Sequence, residues 1–266
     1  MTPRSYPTVS RAELSGRISA AYRRYEQLAT TVDGDTPIGD WTARAVTAHL
    51  VNVMNRYNDF GPHRLGAVPR EVNEVNQREL ETYAEASVDE LLVPLAEEMR
   101  RFEARWGADS PIPLDTPIPF HGGATIDLEC GLANALGEFI IHGRDLAVAT
   151  NTPWPLDDRD AIHLCRFATQ ILPFYLRRPN PHTLQFHFDV DGAEPWAYAL
   201  SDDVLESRAA VPNDEPDFVL SGPPSAFMLM LYGRADFAAA QDAGLWVSGG
   251  RRPELAPLIV ELFESP

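Results

Sequence analysis

The spacing of apolar residues changes once along this chain, and that change limits the folds open to it. Up to about residue 175 the apolar positions recur with the period of an α-helix; beyond "RRPNP" they alternate. In "SRAELSGRISAAYRRYEQLATTV", Leu14, Ile18, Ala21, Tyr25 and Leu28 fall on one helical face. "DTPIGDW" interrupts with Pro37 and Gly39, after which Asp40 or Thr42 can cap a helix over "TARAVTAHLVNVMNRYNDF". A more polar helix is expected near 70–84. The next, "SVDELLVPLAEEMRRFEARWG", opens with the capping-box pair Ser87 and Glu90 and carries Pro94, a candidate kink. Residues 108–126 are rich in Pro and Gly and read as a long loop or a small hairpin. Helices follow over 127–149 and 157–172. Then Leu184, Phe186, Phe188 and Val190 alternate with polar neighbours as a half-buried strand. "DG" at 191–192 turns it into "PWAYAL". "DFVLSG" and "LWVSG" read as further strands, residues 223–244 as a helix and its exit, and "RPELAPLIVELF" as a last helix. Residues 1–175 are therefore expected to form a mainly α domain and residues 176–266 a smaller α+β domain.

The bulk numbers exclude some functions. Lys and Arg total 22 against 39 Asp and Glu, a formal charge of −17. Such a chain repels phosphate backbones and anionic membranes, so nucleic-acid and membrane partners are not expected. Hydrophobic residues make up 44%, enough to build a core. Cys130 and Cys165 are the only cysteines; both lie in apolar helical stretches, and there is no CxxC pair. The start, "MTPRSYPTVSRAEL", has no apolar signal region, and no apolar run reaches the ~18 residues of a membrane span. A cytoplasmic protein is expected.

The helix over 127–149 is apolar nearly all round. One stripe breaks it: Gly131, Asn134, Glu138, His142 and Asp145. The stripe can be the wet edge of a core helix. It can also face inward, where a carboxylate and an imidazole are costly unless paired or metal-bound. Glu138 and His142, one turn apart, could share an ion with a third ligand from elsewhere. His49 is the natural candidate, although a lone His on an apolar face is more often a hydrogen-bonded core residue. His187 falls on the polar side of a strand, His163 has no acidic partner one turn on, and His63, His121 and His182 sit beside Pro or Gly in loops.

Three stretches together resemble a known family: "GDWTARAVTAHL" at 39–50, "GEFIIHGRDLA" at 137–147 and "DFVLSGPPSAFMLMLYGR" at 217–234. The first two resemble the Trp-Thr-x5-His-Leu and Glu-x3-His-x2-Asp motifs of the mycothiol-dependent maleylpyruvate isomerase family. The third is similar to that family's sterol-carrier-like C-terminal domain. The resemblance implies a DinB-like four-helix bundle followed by a small sterol-carrier-like α+β domain. It implies a divalent metal, usually zinc, on His49, Glu138 and His142. For Asp145 it implies support of the His142 imidazole, beside the plainer reading of a surface carboxylate. Two His and one carboxylate leave coordination positions open, a catalytic pattern that also suits Fe(II). The cosubstrate implied is a low-molecular-weight thiol, mycothiol, acting on a small electrophile by isomerisation or S-transfer. A metal-dependent hydrolase and a non-catalytic carrier of an apolar ligand are the alternatives. An anionic substrate would call for a cation, and Arg234 and the Arg251–Arg252 pair are the candidates. Met228 and Met230 could line an apolar pocket or pack in a core. The cysteines read as packing residues.

Overall fold

A computed structural model of the chain describes residues 9–59, 69–120 and 124–264. His63 and His121 lie outside the described residues. The chain divides into two compact units, Val9–Pro155 and Leu156–Pro266.

Helices build the first unit. They are α1 (Arg11–Ala29), α2 (Ala43–Asn58), α3 (Pro69–Glu81), α4 (Val88–Trp106) and α5 (Leu128–Ala149). The four long ones close a ring in which α1 meets α5, α5 meets α2, α2 meets α4 and α4 meets α1. Their starts are set by side chains that satisfy the free N–H groups of the first turn. The Ser10 hydroxyl accepts from Glu13 N, Thr42 from Ala45 N and Asp127 from Cys130 N. Ser87 and Glu90 form the full reciprocal box at α4. Pro94 lies within α4, and the helix continues past it to Trp106. The apolar stripes meet inside the ring: Leu14, Ile18 and Tyr25 from α1, Leu50 and Met54 from α2, Leu91 and Leu95 from α4, Leu132, Leu136 and Phe139 from α5. Two hairpins sit at the ends of helices: β1 (Pro37–Ile38) with β2 (Trp41–Thr42), leading into α2, and β3 (Pro117–Pro119) with β4 (Thr125–Asp127), leading into α5. The Pro- and Gly-rich stretch thus contains a small hairpin. Ile118 of this hairpin packs so closely on Gly131 of α5 that a Cβ there would lie 2.6 Å from its Cδ1.

The second unit begins with α6 (Asp158–Ile171) and carries β5 (Leu184–Val190), β6 (Trp196–Ser201), β7 (Val204–Ala209), β8 (Phe218–Gly222) and β9 (Trp246–Gly249), with α7 (Pro224–Leu231), α8 (Phe237–Asp242) and α9 (Ile259–Leu262). The strands form one sheet in the order β7-β6-β5-β8-β9. Only the β5–β8 pair is parallel; the other neighbours are antiparallel. Phe186, Phe188, Tyr198, Phe218 and Phe227 make its aromatic core. Cys165 and Ala168 of α6 belong to the same core. The division between units therefore falls at Pro155, ahead of the "RRPNP" break expected from sequence, because the apolar face of α6 is buried with the sheet. The segment over 223–244 is two helices rather than one with an exit. The expected last helix is mostly 3-10 (Pro253–Leu258), with a single α turn after it, since Pro257 cannot donate to a helical ladder.

Asp217, at the start of β8, is almost fully buried and organises this end of the sheet. Its carboxylate accepts from Gln185 N (2.9 Å), Arg251 Nη2 (3.0 Å) and Arg252 Nε (2.9 Å). The chain reaches it through Gly250 at φ +115°, where a Cβ would run into the Asp217 carbonyl. Arg251 and Arg252, candidates for substrate binding, are thus engaged within their own unit. Hydrogen bonding from Arg252 holds the Asp217 carboxyl below its ordinary value; burial opposes this, and Gln185 N–H adds to it. A lowered folded-state pKa stabilises above the unfolded value, near 4, and that stability is lost as pH falls through the folded value. Asp217→Asn is expected to cost about 2 kcal/mol at neutral pH, the range for hydrogen bonds to charged groups, and to flatten the acid limb of a stability-versus-pH curve measured by urea unfolding.

Candidate metal centre

His49 lies two turns into α2, on the helix face turned toward α5. Glu138 and His142 lie one turn apart on α5. The polar stripe of α5 therefore faces inward: Asn134 is buried, and Glu138 and His142 are partly enclosed. Both imidazoles approach the same carboxylate oxygen. His49 Nε2 is 3.4 Å from Glu138 Oε2, and His142 Nε2 is 3.5 Å from it. The two rings stand edge to face with centroids 5.1 Å apart. One ligand atom from each of the three residues lies within 4.8 Å of the others.

The other oxygen of Glu138 is engaged. Asn134 Nδ2 donates to Oε1 at 3.2 Å and to Tyr57 Oη at 3.1 Å, and Tyr57 Oη donates to the Gly131 carbonyl at 2.8 Å. On the far side of His142, Asp145 Oδ2 faces Nδ1 at 3.5 Å, longer than a well-formed hydrogen bond. The Trp41 indole lies along both histidines, with centroids 5.0 Å from His49 and 6.2 Å from His142, stacked on the latter.

The electrostatics follow from this packing. Burial opposes charge on every member. At Glu138 the two imidazoles outweigh burial and hold the carboxyl well below its usual range. At His142 burial is outweighed by Asp145 and Glu138, and the pKa is raised. At His49 burial wins over the pull of Glu138, and the pKa is lowered. The site presents one anion between two imidazoles of unequal basicity.

These residues fit a divalent ion. Metal bonds of about 2.1 Å at tetrahedral angles place neighbouring ligand atoms about 3.4 Å apart, and the two His–Glu separations are 3.4 and 3.5 Å. Two nitrogens and one carboxylate oxygen leave room for an exogenous ligand.

Other residues singled out in the sequence lie elsewhere. Arg234 follows α7 in the second unit, where its Nη1 donates to the Tyr232 carbonyl at 2.7 Å. His187 pairs with Asp214 at 3.4 Å on β5. Cys130 and Cys165 are buried, and burial raises both thiols above their ordinary value, so neither is a ready nucleophile. Met228 and Met230 are both buried, and Met230, part of the second unit's core, also borders a recess of about 60 Å³ with Ile259 and Phe263. The parts that spacing did not reveal are the placement of Trp41 and the Asn134–Tyr57 pair. Asn134 is on the visible stripe, but its partner comes from another helix.

Fold and site define a helix bundle whose inner face can hold a divalent ion on two histidines and a glutamate, joined to an α+β unit. Residues 16–147 belong to the family described as the mycothiol maleylpyruvate isomerase N-terminal domain. Among solved structures, the fold is similar to a crystal structure of the mycothiol-dependent maleylpyruvate isomerase at a TM-score of 0.53 and 17% identity, covering 91% of this chain and 97% of that one. A histidine-to-alanine mutant of that enzyme matches equally, with a TM-score of 0.53 and 17% identity over the same shares. A comparison with curated proteins finds no match. Among the described residues, no helix is long and apolar enough to cross a membrane.

Proposed function

We propose that the protein is a thiol-dependent isomerase or S-transferase whose His49, Glu138 and His142 hold a divalent ion, with zinc the first choice for this donor set and mycothiol the thiol. The observation that carries this reading is the meeting of two imidazole nitrogens at one carboxylate oxygen on the inner face of the bundle. Family membership supports the thiol, since the related enzyme of known structure is described as mycothiol-dependent.

His49, Glu138 and His142 would hold the ion, which when bound would lower the pKa of a thiol or water and so supply a nucleophile at neutral pH. The chain's own residues prepare for it. Glu138 stays ionised and supplies the negative charge. Asp145 is proposed to steady the His142 ring from behind by attracting its Nδ1–H, which leaves Nε2 aimed at the site. Trp41 walls the two rings and limits water. A thiolate adding to the β carbon of an α,β-unsaturated acid or ketone makes the former double bond single and leaves an enolate. Rotation and re-expulsion of the thiolate re-form the double bond as the geometric isomer, whereas protonation of the enolate carbon by solvent retains the thioether and gives S-transfer.

The test is turnover of maleylpyruvate and other α,β-unsaturated acids with and without mycothiol, before and after chelation. Turnover that needs both thiol and metal supports the reading; turnover without thiol would replace it with hydrolysis. The carrier alternative draws no support from the recess beside Met230, which at about 60 Å³ is far below the ~300 Å³ or more of a small-molecule pocket.

A further inference from the structure

Glu138 has two oxygens, and the structure treats them differently. Oε2 is the point on which both imidazoles converge. Oε1 is taken by Asn134, whose Nδ2 donates to it at 3.2 Å. Asn134 is buried, and its second N–H goes to Tyr57 Oη at 3.1 Å. The direction of this chain is forced. Tyr57 spends its only proton on the Gly131 carbonyl at 2.8 Å, so toward Asn134 it can only accept. An ionised Glu138 can also only accept. The amide therefore turns its nitrogen to both, and the flipped amide would set oxygen against oxygen. The pair is well anchored: Tyr57 is buried on α2, its ring lies against Phe102 at 5.8 Å, and its carbonyl accepts from Trp106 Nε1 at 3.0 Å.

We infer that Asn134, locked by Tyr57, is a positioning residue that holds Glu138 to one-oxygen ligation of the metal. The inference rests on the proposed metal site. An N–H on Oε1 keeps that oxygen turned away and presents Oε2 alone. Glu138 then uses one coordination position, not two, and the freed position serves the thiol. The same bond fixes the carboxylate before metal arrives, so less order is lost on binding. Tyr57 and His49 share α2 while Asn134 and Glu138 share α5. The hydrogen-bond chain therefore also sets the registry of the two helices that carry the ligands.

The test compares wild type, Asn134→Ala and Tyr57→Phe by zinc affinity, using a chromophoric chelator as competitor, and by the visible spectrum of the Co(II)-substituted protein. Neither readout needs turnover. Asn134→Ala is expected to weaken zinc about 10- to 100-fold, the range for groups that orient a ligand, and to lower the Co(II) visible absorption as Glu138 swings to two-oxygen ligation. Tyr57→Phe keeps the bond to Glu138 and is expected to weaken zinc by less than about tenfold with the spectrum little changed. Near-UV circular dichroism of the metal-free proteins checks folding; should Asn134→Ala fail to fold, Asn134→Asp, which keeps the shape but removes the N–H, replaces it with the same expectation. Wild type that binds one ion, with variants equal to it in affinity and spectrum, would overturn the inference and leave the metal site standing. Wild type that binds no ion overturns both.

Discussion

His142→Ala is expected to bring the metal content of the purified protein from about one ion per chain to background. Two ligands then remain, His49 and Glu138, one from each of two helices, and a two-donor site does not retain a divalent ion against buffer. Thiol-dependent turnover is expected to fall by a thousandfold or more, since the Lewis acidity lost is worth several kcal/mol of transition-state stabilisation, roughly tenfold in rate for each 1.4 kcal/mol. The fold should survive. The His142 side chain is partly exposed, and Glu138 keeps His49 and Asn134 as partners. Elemental analysis of both proteins, with circular dichroism as the check on folding, decides the matter. A variant that retains stoichiometric metal would remove His142 from the site.

The second large effect lies on another face of the same helix. Phe139 is fully buried, with its ring 5.6 Å from Tyr22 and 6.1 Å from Tyr25 of α1. Phe139→Ala is expected to cost about 3–5 kcal/mol through lost burial and the cavity left behind, a large part of the ~5–15 kcal/mol that holds a domain together. Added zinc should return part of it. A ligand that binds only the folded chain contributes about 2.7 kcal/mol at a hundred times its Kd. Thermal unfolding of Phe139→Ala with and without zinc measures both terms. In the double variant Phe139→Ala/His142→Ala the zinc-dependent rise should vanish. A rise of equal size in the double variant would mean that zinc acts elsewhere on the chain.

How far the sequence can be read depends on which interactions are local. Helix starts are local: Ser10, Thr42, Ser87, Asp127 and Asp157 each cap from within four residues, and all five precede regular apolar spacing. The Glu138–His142 pair is local too, one turn apart on α5. Bringing His49 to it depends on the register of α2 against α5, which no spacing within α2 encodes; there the family motifs carried what periodicity lacked. Strand β7 left little trace because it is an edge strand in which Leu205 is the one fully buried side chain. The start of the second unit at Leu156 is hard to read from sequence for a related reason. The proline cluster at 179–181 marks a turn of the chain, whereas the core that α6 joins is decided by strands that come later in sequence. Tyr57 and Asn134 stand on helices that apolar spacing marks, but a hydrogen bond across 77 residues has no sequence period.

The burial of α5 on nearly every side has a consequence for how such a protein can diversify. Leu132, Leu136, Phe139 and Leu146 each meet a neighbour, so most substitutions along this helix are paid for in stability before they can alter chemistry. The i, i+4 pair is thereby insulated from drift, and new substrates have to be accommodated through residues off this helix. A library that randomises the loops while leaving α5 intact should therefore yield altered specificities far more often than one of equal size aimed at the helix itself.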